Sequence, residues 1–510
     1  MRRIMACLLA CLLLGGCTLG QQAYVPTGDA LMQESTTVPR QEAQNPTTEQ
    51  KLTLSYDPTG SFNPYSDTSM SNRMLFSLLY QGLFTVDADY AVSPVLCKQY
   101  AVSKDMKTYT FYLESATFPD GSLLTAQDVV ASLEAARASA VYSGRFTYID
   151  TITITEDGGV QIQLHTPYED LPILLDLPIV KADQTHAQWP EGTGPYYYGQ
   201  SMTGPRLLRR TNWWCRASMA VTASAISLLE ADSAAQLRDD FEFGSVGMVC
   251  ADPGSDSYVD FRCDYELWGC ETGTFLYLAC NEKSPTFSNQ TLRTALTYAI
   301  DRNKLVSDFY GGFAVAATLP ASPHSPYYHD KLAGQYGYNL EKCQQIIADA
   351  KAQDMDITLL VNGADSRRIR VAREVAKMLQ TVGFRVTVSS LQGTAYTNAL
   401  SKGNYDLHLG QTKLSANMDL SAFFAPKGSL NFGSLSDAGI YALCQEALAN
   451  AGNYYTLHQK VMQSGMLCPI LFRSYALYGQ RGVFSDLVPA RDNVFYYSLG
   501  KTMEDCRIDS

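Results

Sequence analysis

Side chains able to do covalent or metal chemistry are thinly spread along the 510 residues. Six histidines are scattered, and only His324 and His329 come close together, in a Pro-, Ser- and Tyr-rich loop that reads as solvated. Thirteen cysteines show irregular spacing and no C-x-x-C pair, so the sequence supports no zinc site and calls for no metal. The chain lacks a G-x-S-x-G nucleophile elbow, an H-E-x-x-H zinc helix, a G-x-x-x-x-G-K phosphate cradle and a G-x-G-x-x-G dinucleotide turn. A carboxylate pair for hydrolysis could still be assembled from distant segments. Nothing in the spacing asks for catalysis or for a cofactor.

One cysteine carries a chemistry by position. Met1-Arg2-Arg3 is a short basic start, Ile4 to Leu14 an apolar run, and Leu14-Gly15-Gly16-Cys17 closes it. The run is too short for a membrane span, which takes about 20 apolar residues, and fits a secretory leader. Its end resembles a bacterial lipobox, which implies cleavage after residue 16 and a diacylglycerol thioether on Cys17. Losing Arg2 and Arg3 with the leader takes the net charge from −12 to −14. With no long basic run, a nucleic-acid surface is not expected. Residues 17–50 read as the lipidated cysteine and a polar, aperiodic tether, a coil reaching roughly 30 Å. An extracytoplasmic address permits disulfides, for instance among Cys250, Cys263, Cys270 and Cys280. Buried apolar thiols are the favoured alternative, because a chain this long has core enough without staples.

The elements that would position a site are partly legible. Tyr109 to Leu113 reads as a strand, Phe118-Pro-Asp-Gly121 as a turn, and Thr125 with Asp128 as a capping-box-like helix start. Val129, Val130, Leu133 and Ala136 share one face of that helix. Thr151–Thr155 and Val160–Leu164 alternate strictly around Glu156-Asp-Gly-Gly159, which predicts a hairpin. Leu292, Ala295, Leu296, Ala299 and Ile300 have helical spacing over 291–301. Ile357–Val361, the stripe Val371, Val375, Met378, Leu379 and Val382, the stop at Gly383 and Phe384–Val388 predict a β-α-β unit. Hairpins and β-α-β units in one chain indicate α/β with more than one lobe.

Five blocks in order resemble the family 5 extracellular solute-binding proteins of ABC importers, the oligopeptide- and dipeptide-binding group. They are Leu79-Tyr-Gln-Gly-Leu83; Phe118-Pro-Asp-Gly-Ser-Leu-Leu-Thr-Ala-Gln-Asp-Val-Val130; Gly192-Thr-Gly-Pro-Tyr196; Asn281 through Pro285 and Phe287 to Leu292-Arg-Thr-Ala-Leu296 and Ala299-Ile-Asp-Arg302; and Cys468-Pro-Ile-Leu-Phe-Arg473. The likeness spans about 51–505. It implies a type II periplasmic-binding-protein-like α/β fold with mixed sheets, two lobes, an extra domain and a ligand cleft between the lobes. Lobe I would take 51–86, 186–270 and 476–510, the extra domain 87–185, and lobe II 271–475, with Arg293 and Asp301 holding a helix to its lobe. The implied function is a lipid-anchored monomer outside the cytoplasm that binds a peptide or similar small solute for an ABC permease and ATPase. It implies no catalysis and no cofactor. A sensor or adhesion lipoprotein on the same scaffold, or a secreted hydrolase, remains an alternative.

The resemblance also points to ligand contacts. Peptide-binding relatives carry a Trp-x-x-Asp-Tyr-Pro-Asp-type strand whose first Asp holds the peptide amine. Anchored on Tyr405-Asp406-Leu407, the Trp falls on Thr412 and the Asp on Ser415, with Lys413 and Leu414 between. A hydroxyl stabilises a buried ammonium far less than a carboxylate does. Either Lys413 faces an anionic ligand, or Asp419 takes over the lost carboxylate. On lobe I, Ser69-Met70-Ser71-Asn72, just before an expected helix over 73–80, matches where relatives present backbone to ligand. Tyr196–Tyr198 and Trp213-Trp214 could line a cleft but read first as packing.

Overall fold

The computed structural model describes residues 52–215, 217–231, 233–255, 261–433 and 435–508. The leader, Cys17 and the tether lie outside the described residues. The chain enters in β1 (Leu52–Tyr56) and passes two short helices, Met70–Met74 and Phe76–Leu79. One helix was expected over 73–80. The break comes where Leu75 N–H bonds the Asn72 carbonyl three residues back, which tightens the turn.

A ribbon of β2 (Phe84–Val86) and β3 (Val92–Pro94) leads into four antiparallel strands. These are β4 (Cys97–Val102), β5 (Thr108–Leu113), β6 (Ile149–Ile154) and β7 (Val160–Leu164), in the order β4-β5-β7-β6. The predicted hairpin is β6–β7, and alternation works as expected in β5, where Tyr109 and Phe111 are buried. Helix Ala126–Ala138 begins in a full capping box between Thr125 and Asp128 and buries Val129, Leu133 and Ala136. Leu133→Ala would cost about 2–5 kcal/mol through the cavity it leaves.

Next, β8 (Tyr196–Ser201), β9 (Gly204–Arg209) and β10 (Ala225–Glu230) return to the start, giving the order β1-β10-β9-β8 with β1 and β10 parallel. Gly194 of the turn before β8 donates to the Leu79 carbonyl, and a Cβ there would sit 2.6 Å from that oxygen, so only glycine allows this approach.

The remaining strands are β11 (Met248–Ala251), β12 (Tyr265–Cys280), β13 (Ala314–Ala316), β14 (Asp356–Asn362), β15 (Arg385–Leu391), β16 (Leu407–Lys413) and β17 (Leu467–Gln480). They form one seven-stranded sheet, ordered β11-β17-β12-β16-β14-β15 with β13 on β17. The β-α-β unit is present: β14 and β15 are parallel around helix Ser366–Thr381, which buries Val371, Val375 and Leu379. The helix expected over 291–301 ends at Ala299, and Asp301 caps a second one, Arg302–Tyr310, by accepting from Lys304 N–H. Arg293 is buried and donates to the Ser464 and Phe287 carbonyls, so it ties its own helix to the loop before it and to the end of helix Tyr454–Ser464.

The long strands β12 and β17 join two bodies. Their register shifts between Glu271 and Thr274. Before the shift, β17 pairs with β11; beyond it, β13 and β16 take the edges. One face is covered by smaller clusters, Val249, Phe261 and Tyr478 before the shift and Leu276, Leu278, Leu296 and Val375 beyond it, while the main core, with Cys270, Phe275, Tyr277 and Leu477, runs across both. A bulge adds twist and a bend to the paired strands. Among the described residues no helix is long and apolar enough to cross a membrane.

Candidate ligand cleft

Segments far apart in sequence converge on a cavity of about 200 Å³. The turns after β1 supply Arg73, Phe76, Ser77 and Tyr80. The four-stranded unit supplies Val141, Tyr142, Arg145 and Asp176. The end of β16 supplies Lys413, Leu414 and Ser415, and the C-terminal segment supplies Arg491, Asp492 and Tyr497.

The bulge in β12 builds one wall. Leu414 N–H bonds the Gly273 carbonyl, and Asp492 N–H bonds that of Glu271. Gly273 has φ +68°, and a Cβ there would stand 2.7 Å from Arg491 Nε. Glycine thus serves both the left-handed backbone and the guanidinium packed on it. Arg491 donates to the Leu414 carbonyl at 2.5 Å and is 5 % exposed.

Charge is concentrated here. Lys413 is ion-paired with Asp492, and Arg145 with Asp176. Burial pushes the Asp492 carboxyl up, but Lys413, Arg491 and Arg73 together outweigh it and hold the group below its usual range. For Lys413 burial among the cavity walls wins over Asp492, and its ammonium is held below the usual lysine value. The Lys413 side chain nevertheless keeps 46 % exposure, because it faces the open cavity rather than the core. Tyr142 lies between two guanidiniums, with Arg145 Cζ 5.4 Å and Arg73 Cζ 5.8 Å from its ring centre. Behind this wall Tyr497 accepts from Gln81 Nε2 at 2.8 Å, and Gln81 accepts from Trp214 Nε1 at 2.8 Å.

Of the candidates taken from the sequence, Lys413, Leu414 and Ser415 line the cavity. Thr412 lies one residue earlier on β16, opposite Phe275, outside the lining. Ser69, Met70, Ser71 and Asn72 are not in the lining either. Asn72 is fully buried and ties the Asp57 and Ser61 carbonyls and Asp67 together, and Ser69 faces a separate groove beside Asp57 and Asp67. The next turns carry the lining residues. Asp419 is turned inward: it accepts from Tyr148 Oη at 2.7 Å and from the Ser421 N–H at 2.9 Å and hydroxyl at 2.7 Å. Tyr196 is core, donating to the Ala223 carbonyl, and Trp213 packs edge-on against Tyr497 in the layer behind the cavity.

Sequence reasoning missed Arg73, Arg145, Asp176, Arg491 and Asp492. Only Arg73 adjoined a chosen segment; the others sit in no motif. His324, read as solvated, is instead bonded through Nδ1 to Glu271 Oε2 at 2.8 Å, beside the bulge. All ten described cysteines are free thiols, and no cluster of three or more His, Cys, Asp or Glu groups among the described residues could hold a metal. No histidine or cysteine lines the cavity. The arrangement can bind and orient a small polar molecule through cations and backbone.

Residues 91–432 match the model of the bacterial extracellular solute-binding proteins, family 5. A protein of Brucella ovis named for peptide binding by an ABC transporter is 24% identical over 337 residues, covering 60% of this chain and 62% of that protein. The match thus spans less than two thirds of such relatives. The glutathione-binding protein of Escherichia coli is 24% identical over 358 residues, 64% of this chain and 67% of its own. Among solved structures, the ABC transporter substrate-binding protein CtaP of Listeria monocytogenes superposes with a TM-score of 0.70 at 18% identity, over 88% of this chain and 98% of that one.

Proposed function

The chain belongs to the bacterial extracellular solute-binding proteins, family 5, with that family's two-lobe α/β fold, and from this we propose that it captures a small peptide-like solute outside the cytoplasm and delivers it to an ABC permease and ATPase. It does no chemistry of its own. The observation that carries this reading is the cavity itself, walled from both sides of the β12–β17 bulge and from the four-stranded unit. A solute touching all three bodies favours their closed arrangement over the open one, and an importer can read that difference. At about 200 Å³ the cavity lies below the roughly 300–1,000 Å³ of drug-sized sites, which favours a small solute over a long peptide.

Lobe I would comprise 51–86, 186–270 and 476–510, the extra domain 87–185 and lobe II 271–475. The bulge supports the crossing points near 271 and 475. Lys413, Leu414 and Ser415 act as ligand contacts from lobe II. The mature protein is a monomer held to the membrane by a lipid on Cys17, a reading that rests on Leu14-Gly15-Gly16-Cys17; Cys17→Ser should leave an unprocessed precursor, and a processed, lipid-partitioning mutant would refute the anchor.

Small-angle scattering with a mixed dipeptide library tests the main reading. A smaller radius of gyration with unconverted ligand is the expected result. Tight binding with unchanged shape, or chemical turnover of the library, would overturn it.

A further inference from the structure

The charges in the cavity wall do not cancel. Four cations face it, Arg73, Arg145, Lys413 and Arg491, against two carboxylates, Asp176 and Asp492. Asp176 is taken by Arg145 and Asp492 by Lys413. Two guanidiniums are left over. Arg73 has no carboxylate within 4.0 Å among the described residues; it makes a long donation, 3.4 Å, to the Asp67 carbonyl, feels Asp492 only from a distance, and rests against the Phe76 and Tyr142 rings. Arg491 is buried and bonds the Leu414 carbonyl, while its Nε has no partner.

An excess of two positive charges around a partly enclosed cavity, one of them on the buried Arg491, costs free energy unless a counter-charge arrives. The protein also lacks a carboxylate to receive an amine in this cavity: Ser415 stands at the lining, and Asp419 is engaged with Tyr148 and Ser421. Resting on the solute-binding reading, we propose that the solute is a small carboxylate-bearing anion, seated by one carboxylate on the Arg73 guanidinium, with Arg491 supplying the second uncompensated charge and Lys413–Asp492 forming a pair whose bonds the ligand can share. The planar fork of Arg73 fits two carboxylate oxygens at once, and the aromatic faces beside it hold the fork in place without neutralising it. A free amino group on the ligand adds nothing, because no unpaired carboxylate awaits it.

The test uses the mature protein and defined probes: Glu-Glu, Ala-Ala and Lys-Lys, each with an amidated C-terminus and with the N-terminus either free or acetylated, so that only Glu-Glu carries carboxylates, with inorganic phosphate and phosphoserine as a separate arm. Calorimetry should show the acidic dipeptides binding at least tenfold tighter than the neutral ones, with acetylation making less than about a threefold difference. Arg73→Gln should erase the acidic preference; Arg73→Lys should keep part of it. Higher salt should weaken the acidic probes alone, a readout that holds even if Arg73→Gln fails to fold. Neutral or cationic probes binding as tightly as acidic ones, or acidic binding that ignores both salt and Arg73→Gln, would overturn the charge inference and leave the solute-binding reading intact. Phosphate binding ahead of every carboxylate would overturn the carboxylate assignment. No binding by any probe would count against the solute-binding reading and this inference together.

Discussion

Two regions of this protein bury carboxylates and treat them differently. At the cavity, Asp492 is surrounded by Lys413, Arg491 and Arg73, and the cations hold it ionised against the cost of burial. At the seam where residues 148–170 meet 327 and 417–454, no cation among the described residues pairs with Asp419 or Asp170. Tyr148 donates to Asp419 at 2.7 Å and Tyr327 to Asp170 at 2.9 Å, while the Ala451 N–H bonds Glu169. Burial dominates there, raising Asp419 and bringing Asp170 up to about 6. Similar burial thus gives opposite protonation preferences, and the neighbours decide which. The seam meets its carboxylates with hydroxyl and backbone donors. The cavity keeps partly exposed charge at Lys413 and Asp492.

The largest expected contrast is in stability. Asp492→Asn leaves Lys413 without its counter-charge; discounting for the exposure of Lys413, a loss of about 1–3 kcal/mol is expected. Asp419→Asn keeps an acceptor for Tyr148 and Ser421 and should cost about 1 kcal/mol or less. Urea unfolding of both variants checks the ranking, and a seam variant hurt as badly as the cavity variant would break the comparison.

Acid should act on the two regions in opposite directions. Asp170 binds its proton more tightly folded than unfolded, so its contribution is fully present below the usual carboxylate value of about 4 and is lost as pH rises through about 6. Asp492, held low, contributes above that usual value, and its contribution is lost as pH falls through its depressed folded value. Asp170→Asn should therefore gain on the order of 1–3 kcal/mol over wild type at pH 8 relative to pH 4. Parallel pH curves for the two proteins would show that burial does not set Asp170.

A smaller effect is expected between the regions, at Glu271. It accepts from Tyr90 and from Ser322 and meets His324, with Asp89 and Arg491 also acting on this corner. The bond to Glu271 raises the His324 value, so this contact stabilises below the usual histidine value and fades as pH rises through the raised one. His324→Asn should cost about 1 kcal/mol at pH 5 and little at pH 9. A cost that does not change with pH would mean packing, not charge, matters there.

The smallest effect concerns the thiols. Cys270, near the cavity, and Cys444, near the seam, are both buried and free, and burial pushes both thiols up, away from the reactive thiolate. Dithiothreitol should shift the melting temperature by less than about a degree, since no crosslink closes a loop. A fall of several degrees would show a disulfide that the fold does not contain.

Much of the scaffold was legible because its signals are local. Thr125 and Asp128 cap a helix whichever lobe they serve; β6 and β7 pair across a short Gly-containing turn; Val371, Val375 and Leu379 define a buried stripe by spacing alone. Tyr109, Phe111 and the turn at Asp120-Gly121 belong to the same class. Part of the chain's content of 32 tyrosines sits at the seam, where Tyr327 stacks on Tyr454 at 4.2 Å. The cleft was legible only where a family strand could be aligned, through Lys413, Leu414 and Ser415.

The sequence by itself determined the short-range elements, the order of the family blocks and the leader-like start, since each depends on residues within a few positions of one another. Tertiary structure alone decided which charges meet. Arg73 and Asp492 reach one cavity because β12 and β17 bend at a bulge and return the C-terminal segment to the first helical turns. Whether a carboxylate is silent like Asp419 or exposed to a ligand like Asp492 follows from desolvation and from neighbours hundreds of residues away, and no local pattern records either.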